Sequence, residues 1–136
     1  MSFAESYCSI LDELELNHSE IIAKDDLEMV YFGIDTKNVK SVRTMSIFGG
    51  PSVSVTCTEI CKIPDDKFAD ALLICNELNV KYRFAKFFID NDNELVIQAD
   101  GFLDPNSAGE ETWALAKATL DKVDEAYGKL MKAIWA

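Results

Sequence analysis

The chain has 136 residues, 49 % of them apolar, and 24 acidic against 13 basic side chains for a formal net charge of −11. That length suits one domain over 1–136, burying roughly two thirds of its unfolded surface and needing neither disulfide nor metal to hold a core. Such a charge repels phosphate backbones, so general nucleic-acid binding is disfavoured and a basic partner favoured.

Residues 1–16 carry acidic groups and lack a basic leader or a long apolar run, which is not the pattern of a signal peptide. No segment approaches the roughly 20 apolar residues of a membrane span. A cytoplasmic protein without a membrane role is therefore expected.

Ser2 and Glu5 make a capping box at a helix start. Phe3, Tyr7, Ile10, Leu11 and Leu14 then share one stripe, which predicts a helix to about Leu16. Residues 17–26 are polar and read as a connection. Leu27 to Ile34 is rich in Val, Tyr, Phe and Ile and predicts a strand, closed by the turn at Asp35–Asn38.

Two further strands flank Gly49-Gly50-Pro51. Pairing Phe48 with Ser52 sets Ile47 opposite Val53, Met45 opposite Val55 and Arg43 opposite Cys57. Ser46 then meets Ser54, and Thr44 meets Thr56. One face becomes mostly apolar and the other mostly hydroxyl, a sorting that a half-buried sheet favours. The proline also disfavours a two-residue loop, because it could not donate the closing hydrogen bond.

Ile63-Pro64-Asp65-Asp66 opens a second helix, with proline in the first turn and aspartates at the positive end of the dipole. Its expected inward stripe is Phe68, Ala71, Leu72, Cys75 and Leu78, with Asn79 as a left-handed terminator. A hairpin follows, with Asp90 opposite Glu94 across Asn91-Asp92-Asn93. Ile89 then faces Leu95, Phe87 faces Ile97 and Ala85 faces Ala99, a purely apolar side that must be core. The other side pairs Phe88 with Val96, Lys86 with Gln98, Phe84 with Asp100 and Tyr82 with Phe102. Ser107 and Glu110 suggest another capping box before the last helix. Its seam is Trp113, Ala116, Leu120, Val123, Tyr127, Leu130 and Ile134, suited to packing on a sheet or to a coiled coil. The order α-β-β-β-α-β-β-α predicts an α+β fold: a five-stranded antiparallel sheet with packed helices.

The motifs that suggest chemistry all have simpler readings. Asp90-x-Asp92-x-Glu94 resembles the start of a calcium loop, but Leu95 and Gly101 stand where glycine and an acid are needed. Gly49-Gly50-Pro51-Ser52 lacks the lysine of a phosphate loop. His18 is the single histidine and has no nucleophile in recognisable context. Asp65-Asp66 reads as a helix start, and Arg83 and Lys86 as ion-paired or solvated groups. Cys57 and Cys61, four residues apart on a strand, would stand about 13 Å apart at roughly 3.3 Å per residue, too far for one tetrahedral metal. Cys8, Cys57, Cys61 and Cys75 read mostly as buried, reduced thiols. No catalytic residue, cofactor or metal is expected.

Phe84, Phe88, Val96 and Phe102 are more apolar than a solvated sheet face requires. They fit either a core beneath a helix or a docking surface for a subunit or peptide, and they are the candidate partner-binding residues.

Residues 76–100, NELNVKYRFAKFFIDNDNELVIQAD, and the later VDEAYGKLMKAI resemble the YbjN-domain family, small bacterial proteins labelled sensory transduction regulators. The resemblance runs from Ile63 to Ile134; Gly128 stands where related sequences often have proline. It implies a fold similar to type III secretion chaperones, which are commonly homodimeric and hold clients against apolar sheet surface. It brings no catalytic residues. The function expected is a non-enzymatic, dimeric protein-binding regulator. The alternatives are a dedicated chaperone for a secreted client and a small-ligand sensor with an unrecognised pocket.

Overall fold

The computed structural model describes residues 1–135. Helix α1 runs Phe3–Glu13, capped reciprocally by Ser2 and Glu5: the Glu5 N–H donates to Ser2 Oγ at 3.1 Å, and the Ser2 N–H to Glu5 Oε1 at 2.7 Å. It stops short of Leu16 because Glu15 turns left-handed, at φ 58°. The Leu16 N–H then reaches back to the Leu11 carbonyl at 2.9 Å, as in a Schellman stop.

Six strands follow: β1 Ile22–Lys24, β2 Leu27–Ile34, β3 Val42–Gly49, β4 Ser52–Thr58, β5 Ala85–Ile89 and β6 Leu95–Phe102. They form one sheet in the order β1-β2-β3-β4-β6-β5, every neighbouring pair antiparallel. Helix α2, Phe68–Lys81, carries the chain from β4 past β6 to the edge strand β5, and α3, Ala108–Trp135, closes the fold. The expected five strands become six because Ile22–Lys24 pairs with Leu27–Met29 inside the segment read as a connection. All three of its residues are exposed, so it carries no alternation to reveal it.

All three helices cover the same face of the sheet. Beneath α2 and α3 lie Val42, Cys57, Ala85, Phe87, Leu95 and Ile97; beneath α1 and the start of α3 lie Val30, Phe32, Phe48, Val53 and Val55. The α3 seam packs as a core seam: Ala116, Leu120, Val123, Leu130 and Ile134 are buried. Where α1 crosses α3, Gly109 permits contact between backbones. A Cβ there would sit 2.6 Å from the Ser6 carbonyl oxygen.

The second hairpin has the expected register over 85–89 and 95–99. It does not continue to Phe84 and Tyr82. The Ala85 N–H closes on the Arg83 carbonyl at 2.6 Å around Phe84, whose φ is +52°, and this tight turn ends the strand. Tyr82 instead stacks on Phe87, 5.8 Å between ring centroids, while Phe102 lies opposite Ser52.

The first hairpin is one residue out of the expected register. Gly49 pairs with Ser52, Phe48 with Val53, Ser46 with Val55 and Thr44 with Cys57. Gly50 at φ +55° followed by Pro51 makes a two-residue loop of the II′ type. In that loop the flanking residues close the hairpin, so the proline has no hydrogen bond to lose. Thr44 and Ser46 are consequently fully buried, while Met45 and Ile47 face outward. Ser46 Oγ and Tyr7 Oη are both buried in the core, where burial pushes the Tyr7 phenol up and the Ser46 hydroxyl partly offsets it.

Helix α2 also departs from expectation. Ala71, Ile74, Cys75 and Leu78 face the core, whereas Phe68 and Leu72 are exposed. Asn79 does not end the helix. Its amide reaches the edge strand: the Phe87 N–H donates to Asn79 Oδ1 at 2.7 Å, and Asn79 Nδ2 donates to the Phe87 carbonyl at 3.0 Å.

Candidate interaction face

Strand residues alternate between faces, and residues directly opposite share one. The helix-free face can therefore be built row by row from the pairing. Ile22, Met29, Ile47, Ser54 and Asp100 form one row; Tyr31, Met45, Thr56, Gln98 and Lys86 form the next. Leu27, Gly49, Ser52 and Phe102 lie on one side of these, and Gly33, Arg43, Thr58, Val96 and Phe88 on the other.

The β1–β3 half of this face is an apolar patch of Ile22, Leu27, Met29, Tyr31, Met45 and Ile47, all half-buried or exposed. Leu27 lies over Gly49, where a side chain would collide with it. The Arg43 guanidinium covers the Tyr31 ring at 4.4 Å and reaches Glu59 at 3.5 Å. Lys86 stands 5.7 Å from the Phe88 ring centroid. The strands place Lys24, Arg43 and Lys86 on this face; the carboxylates beside them are Glu59, paired with Arg43, and Asp100, which accepts from Gln98 Nε2 at 3.0 Å.

The four candidate residues do not form one patch. Val96 is only 3 % exposed beside Phe88, which is half-buried. Phe102 is 85 % exposed, but six residues from Val96, about 20 Å along the strand. Phe84 is 55 % exposed and off the strand altogether, beyond the end of α2. Sequence reasoning missed the β1–β3 patch because the slipped register turned Met45 and Ile47 inward. The signal that finds them is the Gly-Pro pair read as a closed two-residue loop.

The groups considered for chemistry are in structural settings. His18 bonds the Ser19 carbonyl at 2.6 Å and Asp12 Oδ1 at 2.8 Å. Burial works against its charged form, but these two acceptors prevail and raise its pKa. Burial pushes the Cys57 thiol up to about 12, against a lowering from the Thr44 hydroxyl, and the Cys75 thiol up to about 11. The thiols of Cys8 and Cys61 are raised too, chiefly by burial. High thiol pKa values disfavour the reactive thiolate. No cluster of three or more His, Cys, Asp or Glu side chains with metal-binding geometry occurs among the described residues. No described helix is long and apolar enough to cross a membrane. A cavity of about 320 Å³ lies between α3 and the β2–β3 loop, floored by Ile34, Trp113 and Leu120 and rimmed by Lys37, Lys117 and Asp121.

The architecture defines an α+β protein with one antiparallel sheet, covered by helices on one face and open on the other. The sequence profile of the YbjN family, described as "Putative bacterial sensory transduction regulator", matches residues 8–129. The chain belongs to the YbjN family. A solved structure described as "Crystal structure of YbjN, a putative transcription regulator from E. coli" superposes with a TM-score of 0.62 at 10 % identity, covering 91 % of this chain and 87 % of that one. At that identity the likeness establishes the fold. No curated protein matches the chain. The family match takes in the N-terminal half, beyond the segment from Ile63 that carried the resemblance.

Proposed function

We propose that this YbjN-family regulator is a non-enzymatic, cytoplasmic module that acts by binding a protein on the open face of its sheet, and that it works as a homodimer. The observation that carries the reading is the apolar β1–β3 patch flanked by cations on a chain of net charge −11. Contiguous exposed apolar surface rimmed by polar groups is the mark of an interaction site. The local excess of Lys24, Arg43 and Lys86 favours an apolar segment with acidic neighbours as the ligand. The overall charge disfavours direct contact with nucleic acid, so regulation through a protein is the consistent route.

The test is affinity capture from the native host with mass spectrometry, using wild type and a Met45→Asp/Ile47→Asp variant whose fold is checked by circular dichroism. A partner retained by wild type and lost by the variant supports the reading; equal retention by both would sink it. A captured secreted protein would point to a dedicated chaperone. The cavity beside Trp113 favours a second reading, a small-ligand sensor. A reproducible thermal shift with one metabolite, abolished by Leu120→Trp, would support it.

A further inference from the structure

The cavity beside Trp113 is built from two segments that face each other. Trp113, Lys117, Leu120, Asp121 and Asp124 come from α3, and residues 34–37 from the end of β2 and the loop after it. Steps of four, three, one and three keep the helical side chains on one face of α3. Asn38 ties the loop to that helix, its N–H donating to Asp124 Oδ1 at 2.7 Å and its Nδ2 to Oδ2 at 3.3 Å. The floor is apolar, and the Trp113 ring rests against Phe32, 6.3 Å between centroids. About 320 Å³ lies at the lower end of the roughly 300–1,000 Å³ of small-molecule pockets, which suits a metabolite of amino-acid size.

Five charged side chains rim this floor, and three are already engaged. Asp35 accepts from the Ser41 N–H at 2.8 Å and lies 3.7 Å from Lys40. Asp124 is held below the usual carboxylate range by the Thr36 hydroxyl and the Asn38 N–H, with a smaller contribution from Lys37. Lys117 and Asp121 differ. Both are exposed, one turn apart, and among the described residues neither forms an ion pair. Trp113, Lys117 and Asp121 follow one another at about 6 Å along the helix, at 1.5 Å rise per residue. The order is therefore apolar ring, cation, anion. A monocarboxylate drawn to Lys117 meets Asp121 beside it, and an amine drawn to Asp121 meets Lys117. A ligand carrying both charges next to an apolar body satisfies all three groups.

We infer that this cavity binds a small zwitterion, an α-amino acid with a large apolar side chain. The side chain lies on Ile34, Trp113 and Leu120, the carboxylate meets Lys117 and the ammonium meets Asp121. This rests on the small-ligand reading of the cavity and names its ligand class. The cavity is on the helix side of the sheet, so its ligand leaves the open face free. Both charged groups are solvated, so binding is weak and falls with added salt.

The test is thermal shift together with the fluorescence of Trp113, isolated by Trp135→Phe. L-Leucine, L-methionine and L-phenylalanine are each compared with the deamino acid and the decarboxylated amine of the same body. Glycine keeps both charges and lacks the body. At least one large amino acid raises the melting temperature and changes Trp113 emission saturably at millimolar concentration. Glycine and the single-charge analogues bind several-fold more weakly. Lys117→Ala and Asp121→Asn keep the wild-type circular dichroism and each lose several-fold in affinity, while Lys129→Ala, further along α3, binds as wild type. No saturable response to any of the three amino acids overturns the inference. So does a single-charge analogue that binds as tightly as its parent, or an equal loss in Lys117→Ala and Lys129→Ala. A single-charge analogue that binds here and is lost in Leu120→Trp overturns the ligand class yet leaves the small-ligand reading standing, so the two failures are told apart.

Discussion

Replacing Asn79 by alanine tests how the sheet protects its edge. Strand β5 is terminal in the sheet, so the N–H and C=O groups on its outer side lack a strand partner. Asn79 supplies one from α2, taking the Phe87 N–H at 2.7 Å and giving to its carbonyl at 3.0 Å. Two such bonds contribute about 1–3 kcal/mol net. Alanine recovers up to about 0.7 kcal/mol of helix propensity, and water can reach the exposed site. The expected loss is therefore about 1–2 kcal/mol, a fall of roughly 4–8 °C in Tm for a chain of this size. Asn79→Asp should be worse than alanine, because one of its carboxylate oxygens then faces the Phe87 carbonyl. Urea unfolding followed by circular dichroism measures the loss, and amide exchange at Phe87 should accelerate in both variants. An Asn79→Ala protein as stable as wild type, with unchanged Phe87 exchange, would refute the reasoning.

Gly109→Ala places a Cβ against the Ser6 backbone. The crowding costs about 1–3 kcal/mol and outweighs the gain of about 1 kcal/mol in helix propensity, so urea unfolding should show a net loss. Gly128→Ala meets nothing within 4 Å in an exposed stretch of α3 and should stabilise by about 1 kcal/mol in the same assay. The β3–β4 register is checked by Ile47→Lys against Ser46→Lys: circular dichroism should find the first folded and the second unfolded, and the register slipped by one would reverse them. His18 has a folded-state pKa above its unfolded value. Its contribution is therefore complete below about pH 6.5 and lost as pH rises through the folded pKa. The stability difference between wild type and His18→Gln should shrink between pH 5.5 and 8.5.

The parts of the fold legible in the sequence were those where one physical demand dominates. The second hairpin sorted correctly because Ala85, Phe87, Ile89, Leu95, Ile97 and Ala99 leave only one inward face. The first hairpin misled because its core face carries Thr44 and Ser46 while its outer face carries Met45 and Ile47. Hydrophobic sorting then favours the wrong register, and only the loop chemistry of Gly50-Pro51 opposes it. Strand β1 left no pattern, being short and exposed throughout. Asn79 read as a terminator because its use, a side-chain bond to a strand eight residues on, depends on how α2 lies over the edge. Phe84 and Phe102 are large rings and both are exposed, yet the tight turn at Phe84 takes it away from the patch beside Met45.

The same departures bear on function. Helix α2 buries Ile74 and Cys75 and leaves Leu73 and Val80 exposed, so apolar surface remains on its outer side. Moving Met45 and Ile47 outward adds a second uncovered apolar surface, on the sheet. The two surfaces differ in charge: acidic groups crowd the start of α2, whereas Lys24, Arg43 and Lys86 stand on the sheet face. On the proposed reading the sheet face would take an acidic segment from elsewhere, which the start of α2 would repel. Added salt should weaken capture of a protein bound on the sheet face, and an acidic competitor peptide should displace it.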